Sequence, residues 1–207
     1  VKSYHEIVGD GGSGVIEQVQ ALHAQIGRAL SGVKSMVAVG SGKGGVGKST
    51  VTHGIAAALQ SRGRRVAILD ADINGPSQAR LAGLKAAPLV PGSDGVLQMP
   101  RDKNGIGVVS VGTLVPEIES VEFESVSEGE SHTWRATREF AFMAQLLSSI
   151  GWGELDYLMI DLPPGAERTF QYAEFFGDKT AFMLVTTPSA LSRGVVQRSV
   201  AALARTR

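Results

Sequence analysis

Residues 42–49 read Gly-Lys-Gly-Gly-Val-Gly-Lys-Ser and fit the pattern GxxxxGK[ST]. That spelling suits the cradling of a nucleotide's phosphates. Glycines let successive backbone N–H groups turn inward around phosphate oxygens. A helix starting there adds the positive end of its dipole. Lys48 is expected to reach the β- and γ-phosphates, and the Ser49 hydroxyl to ligate Mg²⁺. Contacts to ATP are therefore predicted along Gly42, Lys43, Gly44, Gly45, Val46, Gly47, Lys48, Ser49 and Thr50. Lys43 is a second lysine that an ordinary phosphate loop does not need. By itself it reads equally well as a solvated loop charge.

Two acids stand where such a site would need them. Asp161 closes the apolar run Tyr157–Ile160 and is expected to organise Mg²⁺ together with Ser49. It opens Asp-Leu-Pro-Pro-Gly165, and Gly165 is expected beside the nucleotide. Asp72 follows Asp70 by two residues, just past another apolar run. Either acid alone could be a strand-end cap or a turn residue. Three strand ends converging on one edge favour a ligand site.

The elements that must position these residues can be read from hydrophobic pattern. Val15, Val19, Leu22, Ile26 and Leu30 fall at helical spacing, which predicts an amphipathic helix over 14–31 behind a flexible start. Met36–Val39 is a short buried strand leading into the phosphate loop, and a helix should follow it through Leu59 to close near Gly63. Further strands are predicted at Val66–Leu69, Ile106–Val111, Tyr157–Ile160 and Ala181–Val185. Helices are predicted over 137–150 and 189–204, and loop over 85–105. Residues 116–133 hold six Glu and no Lys or Arg, which reads as a solvated insertion. Continuous apolar strands alternating with helices predict an α/β fold with a doubly wound, mostly parallel sheet. The expected organisation is an N-terminal segment and helix over 1–33 and a phosphate-loop ATPase domain over 34–207.

The string from Gly40 to Thr50 resembles the deviant phosphate loop of the MinD/ParA/Mrp class of ATPases. The resemblance implies that Lys43 is the signature lysine of that class, which crosses a homodimer interface to nucleotide on the facing subunit. It also implies that Asp72 orients the attacking water, so that Lys43, Lys48 and Asp72 form the catalytic set. Longer strings narrow the likeness to the Mrp/ApbC branch. Asp70-Ala-Asp-Ile-Asn-Gly-Pro-Ser77 resembles that branch's DADIYGPS segment. Trp152-Gly-Glu-Leu-Asp-Tyr157 with Asp161-Leu-Pro-Pro-Gly165 resembles its WGELDYLxIDLPPG segment, and Val185-Thr-Thr-Pro188 its VTTP strand end. The likeness covers roughly residues 36–200. It implies ATP-gated assembly or transfer of iron–sulfur clusters, with ATP or ADP, a second copy of the chain and a metallocluster client as partners.

The departures are local. The branch usually continues PPG with Thr-Gly-Asp, whereas Ala166-Glu167-Arg168 stand here. Asn74 replaces a Tyr, and Ala136-Thr-Arg138 replace Gly-Pro-Met. The family normally continues with further strands and a CxxC pair, while this sequence ends at Arg207 without a Cys. Two other readings stay open within the class. One is a positioning or partitioning ATPase acting on membrane or DNA. The other is a nucleotide-binding regulatory module with weak hydrolysis.

Composition bounds the rest. The 207 residues are 43% hydrophobic and 19% charged, which excludes a largely disordered chain. Twenty Lys+Arg balance twenty Asp+Glu, so no global field favours nucleic acid or an anionic membrane, and neither is expected as a partner. The absence of Cys excludes disulfides and thiolate-held zinc or clusters within these residues. No apolar run reaches membrane-spanning length and no signal peptide is visible, so the cytoplasm is the expected compartment. His5, His23, His53 and His132 show no ligand spacing, and Trp134 and Trp152 read as packing residues. Arg193, Arg198, Arg205 and Arg207 make the last helix basic, which reads as a solvated face.

Overall fold

The computed structural model describes residues 15–85, 89–92, 95–110, 132–176 and 179–204. Most of the Glu-rich stretch, with Val111, His5, Arg205 and Arg207, lies outside the described residues.

Five strands form one parallel sheet: β1 (Val33–Ser41), β2 (Val66–Asp70), β3 (Gly107–Val109), β4 (Leu155–Asp161) and β5 (Thr180–Val185). Their order is β3-β2-β4-β1-β5, so the fourth strand in the chain, β4, sits in the middle. Register aligns the chemistry-bearing ends. Asp161 stands beside Val39 of β1 on one side and Asp70 of β2 on the other. Alternating side chains serve two cores. Ala38, Ala67, Leu69, Leu158 and Ile160 face one cluster, and Val39, Val66, Ile68 and Met159 face the other. Each fully buried Ile or Leu contributes roughly 1.5–3 kcal/mol relative to exposure, which is why strands apolar on both faces demand cover on both.

Helices supply that cover. On one face lie α1 (Val15–Ala29), α4 (His132–Ser149) and α5 (Ala166–Phe176). Ile26 at the end of α1, with Leu30 just beyond it, packs there beside Met143 and Leu147 of α4. On the other face, α2 (Lys48–Gln60) buries Ala56 against Ile68 and Met159. The short α3 (Gln78–Leu81) follows β2, and α6 (Ala190–Leu203) packs on α5. Trp152 is buried and donates from Nε1 to Leu147 O at 2.9 Å, a packing role.

The elements correct the sequence reading in three places. α4 begins at His132, five residues before the predicted start, so residues 132–133 belong to the helix and not to the acidic insertion. α3 and α5 were not predicted at all. The strands run one to five residues longer than their apolar centres, except β3, which is shorter. Among the described residues, no helix is long and apolar enough to cross a membrane.

Candidate functional site

The loop of residues 42–47 joins β1 to α2 at the carboxyl edge of the sheet. Its shape depends on glycine: Gly45 has φ 73° and Gly47 φ 88°, both in the left-handed region that L side chains avoid. A Cβ built on Gly44, Gly45 or Gly47 meets nothing within 4 Å, so it is the backbone angles and not crowding that call for glycine at 45 and 47. α2 starts without a capping side chain and with no acid in its first turn. Its first N–H groups and its positive dipole end therefore suit an external anion. The loop is held from below: Ser41 Oγ donates to Lys43 O at 2.9 Å, and Gly165 N donates to Ser41 O at 2.7 Å. Gly165 is thus drawn to the loop's base. Lys43 is exposed.

Lys48 lies under the loop rather than in it. Its ammonium meets Asp161 Oδ1 at 2.5 Å, with the two side chains 7% and 0% exposed. Lys48 Nζ is also 3.4 Å from Ser49 Oγ. Thr52 donates to Lys48 O at 3.0 Å and stands 3.4 Å from Asp161 Oδ1. The other carboxylate oxygen, Oδ2, accepts from Gln78 Nε2 at 2.8 Å, and the same Nε2 donates to Ser49 O at 3.0 Å. Gln78 thereby ties β4 to the first turn of α2.

Asp70 and Asp72 sit in different surroundings. Asp70 is fully buried and accepts four hydrogen bonds: from Asp72 N (3.2 Å), Ser77 N (2.9 Å), Gln78 N (3.0 Å) and Ser110 Oγ (3.0 Å). It anchors the whole turn from 71 to 78. Burial pushes its carboxyl up to about 6; the Gln78 N–H opposes this and the Asp161 charge adds to it. Asp72 is half-buried and accepts from Gly75 N at 3.2 Å. Burial raises its pKa, while the charge of Lys48 lowers it, so the Asp72 carboxylate stands within the field of the Lys48–Asp161 pair.

A second polar cluster supports that turn from the opposite core. The Tyr172 hydroxyl lies 3.2 Å from both Ala71 O and Glu139 Oε1, one donor shared between two acceptors. Arg168 pairs with Glu139. Burial drives the Tyr172 pKa far above the usual phenol range, so its hydroxyl remains a donor. Arg168 marked a departure in the sequence; Tyr172 and Glu139 carried no signal, because their meeting depends on how α4 and α5 pack.

The oxygen atoms of Ser49 and Asp161 suit a hard cation such as Mg²⁺. Among the described residues, no group of three or more His, Asp or Glu could hold a metal alone. That fits a cation held by one or two side chains together with phosphates. Gln78 Oε1, buried beside both groups, has no hydrogen-bond partner. Ser49, Asp161, Lys48, Asp72 and Gly165 are thus brought to one edge, while Lys43 and Thr50 remain at its exposed rim.

The family model described as NUBPL iron-transfer P-loop NTPase, of the ParA group, matches residues 32–207. An iron–sulfur cluster carrier protein of Saccharolobus solfataricus is 34% identical over 187 residues, 90% of this chain and 60% of that protein. The cytosolic Fe-S cluster assembly factor CFD1 of Candida glabrata is 35% identical over 190 residues, 89% of this chain and 63% of that protein. The chain therefore spans about three-fifths of the length of these curated relatives. Among solved structures, the nucleotide-binding protein of Archaeoglobus fulgidus in complex with ADP superposes with a TM-score of 0.71 at 31% identity. That match covers 89% of this chain and 67% of the other.

Proposed function

The chain belongs to the ParA-group family of NUBPL iron-transfer P-loop NTPases, and from that premise we propose that it is the nucleotide-gated part of a Mg²⁺-dependent, dimeric ATPase serving iron–sulfur cluster assembly. The observation that carries this reading is the Lys48–Asp161–Gln78 cluster buried beside Ser49 at the end of a glycine loop with positive φ at Gly45 and Gly47. Relatives named as cluster carriers and cluster assembly factors support the cargo. With no Cys in these 207 residues, thiolate ligands to a cluster are not supplied by this segment.

In the proposed cycle, backbone N–H groups of residues 44–49 grip the phosphates. Lys48 exchanges Asp161 for the β- and γ-phosphate oxygens, releasing a carboxylate oxygen at the moment nucleotide enters. Ser49 and Asp161 would hold Mg²⁺, which supplies charge neutralisation on the transferring phosphoryl group. Asp72 aligns water, and its place near Lys48 keeps that water close to the positive charge. Stabilisation of developing charge is the main catalytic term in such a site.

Two variants test this reading. Lys48→Ala should weaken ATP binding by at least tenfold in calorimetry, because an enclosed charge-assisted contact is lost. It also leaves Asp161 buried without its counter-charge, which costs roughly 3–5 kcal/mol, so titration must be made well below the lowered melting temperature. Asp72→Ala should keep ATP affinity while single-turnover phosphate release slows by about a hundredfold or more. Unchanged ATP affinity in Lys48→Ala would remove the phosphate-loop assignment.

A further inference from the structure

Gln78 is completely buried, yet only half of its amide is used. Nε2 donates to Ser49 O and Asp161 Oδ2 at 3.0 and 2.8 Å. Both partners are acceptors only, so this orientation of the amide is fixed by chemistry: the flipped form would set Oε1 against a carbonyl and a carboxylate. Oε1 is left as a buried acceptor without a donor, on an amide whose nitrogen contacts Asp161 and the Ser49 backbone. Leaving such an atom unpaired costs about 1–3 kcal/mol, so a donor is expected there in the working site.

The donor must be compatible with neighbours that are nearly all acceptors: Asp161, Asp70 and the Ser49 carbonyl. Of the donors nearby, the Lys48 ammonium is engaged by Asp161, and the Thr52 and Ser110 hydroxyls donate to Lys48 O and Asp70. A water bound to a divalent cation meets the requirement, because its lone pair is committed to the metal and both hydrogens point outward. Mg²⁺ keeps several such waters when it binds through one or two side chains and phosphates.

We propose that Gln78 is a positioning residue for the nucleotide-bound divalent cation, its Oε1 accepting a hydrogen bond from a water in the cation's shell while its Nε2 fixes Asp161 and the Ser49 backbone. The inference rests on the phosphate-loop reading above and extends it to a residue outside the loop and both acid positions.

The test uses the 207-residue chain and ADP, titrated by calorimetry in EDTA and in saturating Mg²⁺. The quantity read is the ratio of the two affinities, which a purely scaffolding role for Gln78 would leave unchanged. Gln78→Met should lower that ratio about tenfold, the usual scale for losing an outer partner of a metal site. Gln78→Leu removes the same oxygen with a different side-chain shape and should lower the ratio likewise, and it serves as the deciding variant if Gln78→Met does not fold. A wild-type ratio in Gln78→Met overturns the inference. So does an equal weakening in both media, or a wild-type ratio in Gln78→Leu. Wild-type chain that binds no ADP in either medium overturns the phosphate-loop reading itself, and the inference with it.

Discussion

Asp70 is an acid in surroundings that favour its neutral form, and that gives it an unusual effect on stability. With its carboxyl raised to about 6, the folded chain keeps a proton between about pH 4 and 6 that the unfolded chain has released. Its contribution is therefore largest at the acid end and is lost as pH rises through that window, opposite in sign to a salt-bridged carboxylate. The size is on the order of 3 kcal/mol from a shift of this extent. Asp70→Asn should remove that slope. Its amide cannot accept from Asp72 N and the other three donors together, so a constant loss is expected on top. Thermal melts from pH 4 to 7 separate the two, because only the slope reports the titration; a variant with the wild-type slope would clear Asp70 of this role. The sequence marked Asp70 only as the first acid of a pair. That it anchors rather than reacts follows from four donors converging on it, three of them seven or more residues away.

At the level of elements, β1 and α5 approach so closely that Gly40 has no room for a side chain. A Cβ there would stand 2.9 Å from Thr169 Oγ1 and 3.2 Å from Thr169 Cγ2. Thr169 cannot swing away cheaply, since its hydroxyl donates to Gly165 O at 3.0 Å. Gly40→Ala is expected to destabilise by about 1–3 kcal/mol in urea unfolding, the range for overpacking. Adding Thr169→Ala should recover most of it; no recovery would mean the strain lies elsewhere. This contact was invisible in the sequence, as α5 itself was. Ala166–Phe176 follows Pro163-Pro164-Gly165, which reads as a strand-end turn, and its buried Thr169, Tyr172 and Ala173 include a polar residue that blurs the apolar stripe. α4 started late in the sequence reading because its first turn, His132-Thr-Trp-Arg135, is mostly polar and adjoins acidic chain. By contrast, β2, β4 and the carboxyl half of β1 were legible, since runs buried on both faces must be apolar throughout. The phosphate loop was legible for a related reason: positive φ at Gly45 and Gly47 admits few other residues. Gln78 was not, because a glutamine in a four-residue helix acquires meaning only from what β4 brings beside it.

For the whole molecule, Lys43 asks a question that one copy of the chain cannot answer. It is exposed at the open rim of the loop, apart from the buried Lys48–Asp161 pair. If it reaches a facing subunit, Lys43→Ala should leave nucleotide binding to the monomer nearly intact while abolishing dimerisation by a non-hydrolysable ATP analogue. Two apposed γ-phosphates repel, and one interfacial cation from each subunit offsets that. Sedimentation decides it; a variant that dimerises like wild type makes Lys43 a solvated charge. The sheet order has a consequence in time as well as in space. Lys48 and Asp161 are 113 residues apart, and β4 must slide between β1 and β2 before they meet. On a ribosome adding roughly 5–20 residues per second, the glycine loop emerges several seconds to some twenty seconds before its acid partner. Throughout that interval β1 and β2 lack the strand that joins them, and the nascent chain exposes two apolar edges and an unneutralised lysine. The Lys48–Asp161 pair thus forms only when the central strand arrives, and a growing chain stalled short of Leu155 exposes apolar surface that invites aggregation rather than packing as a smaller version of the fold.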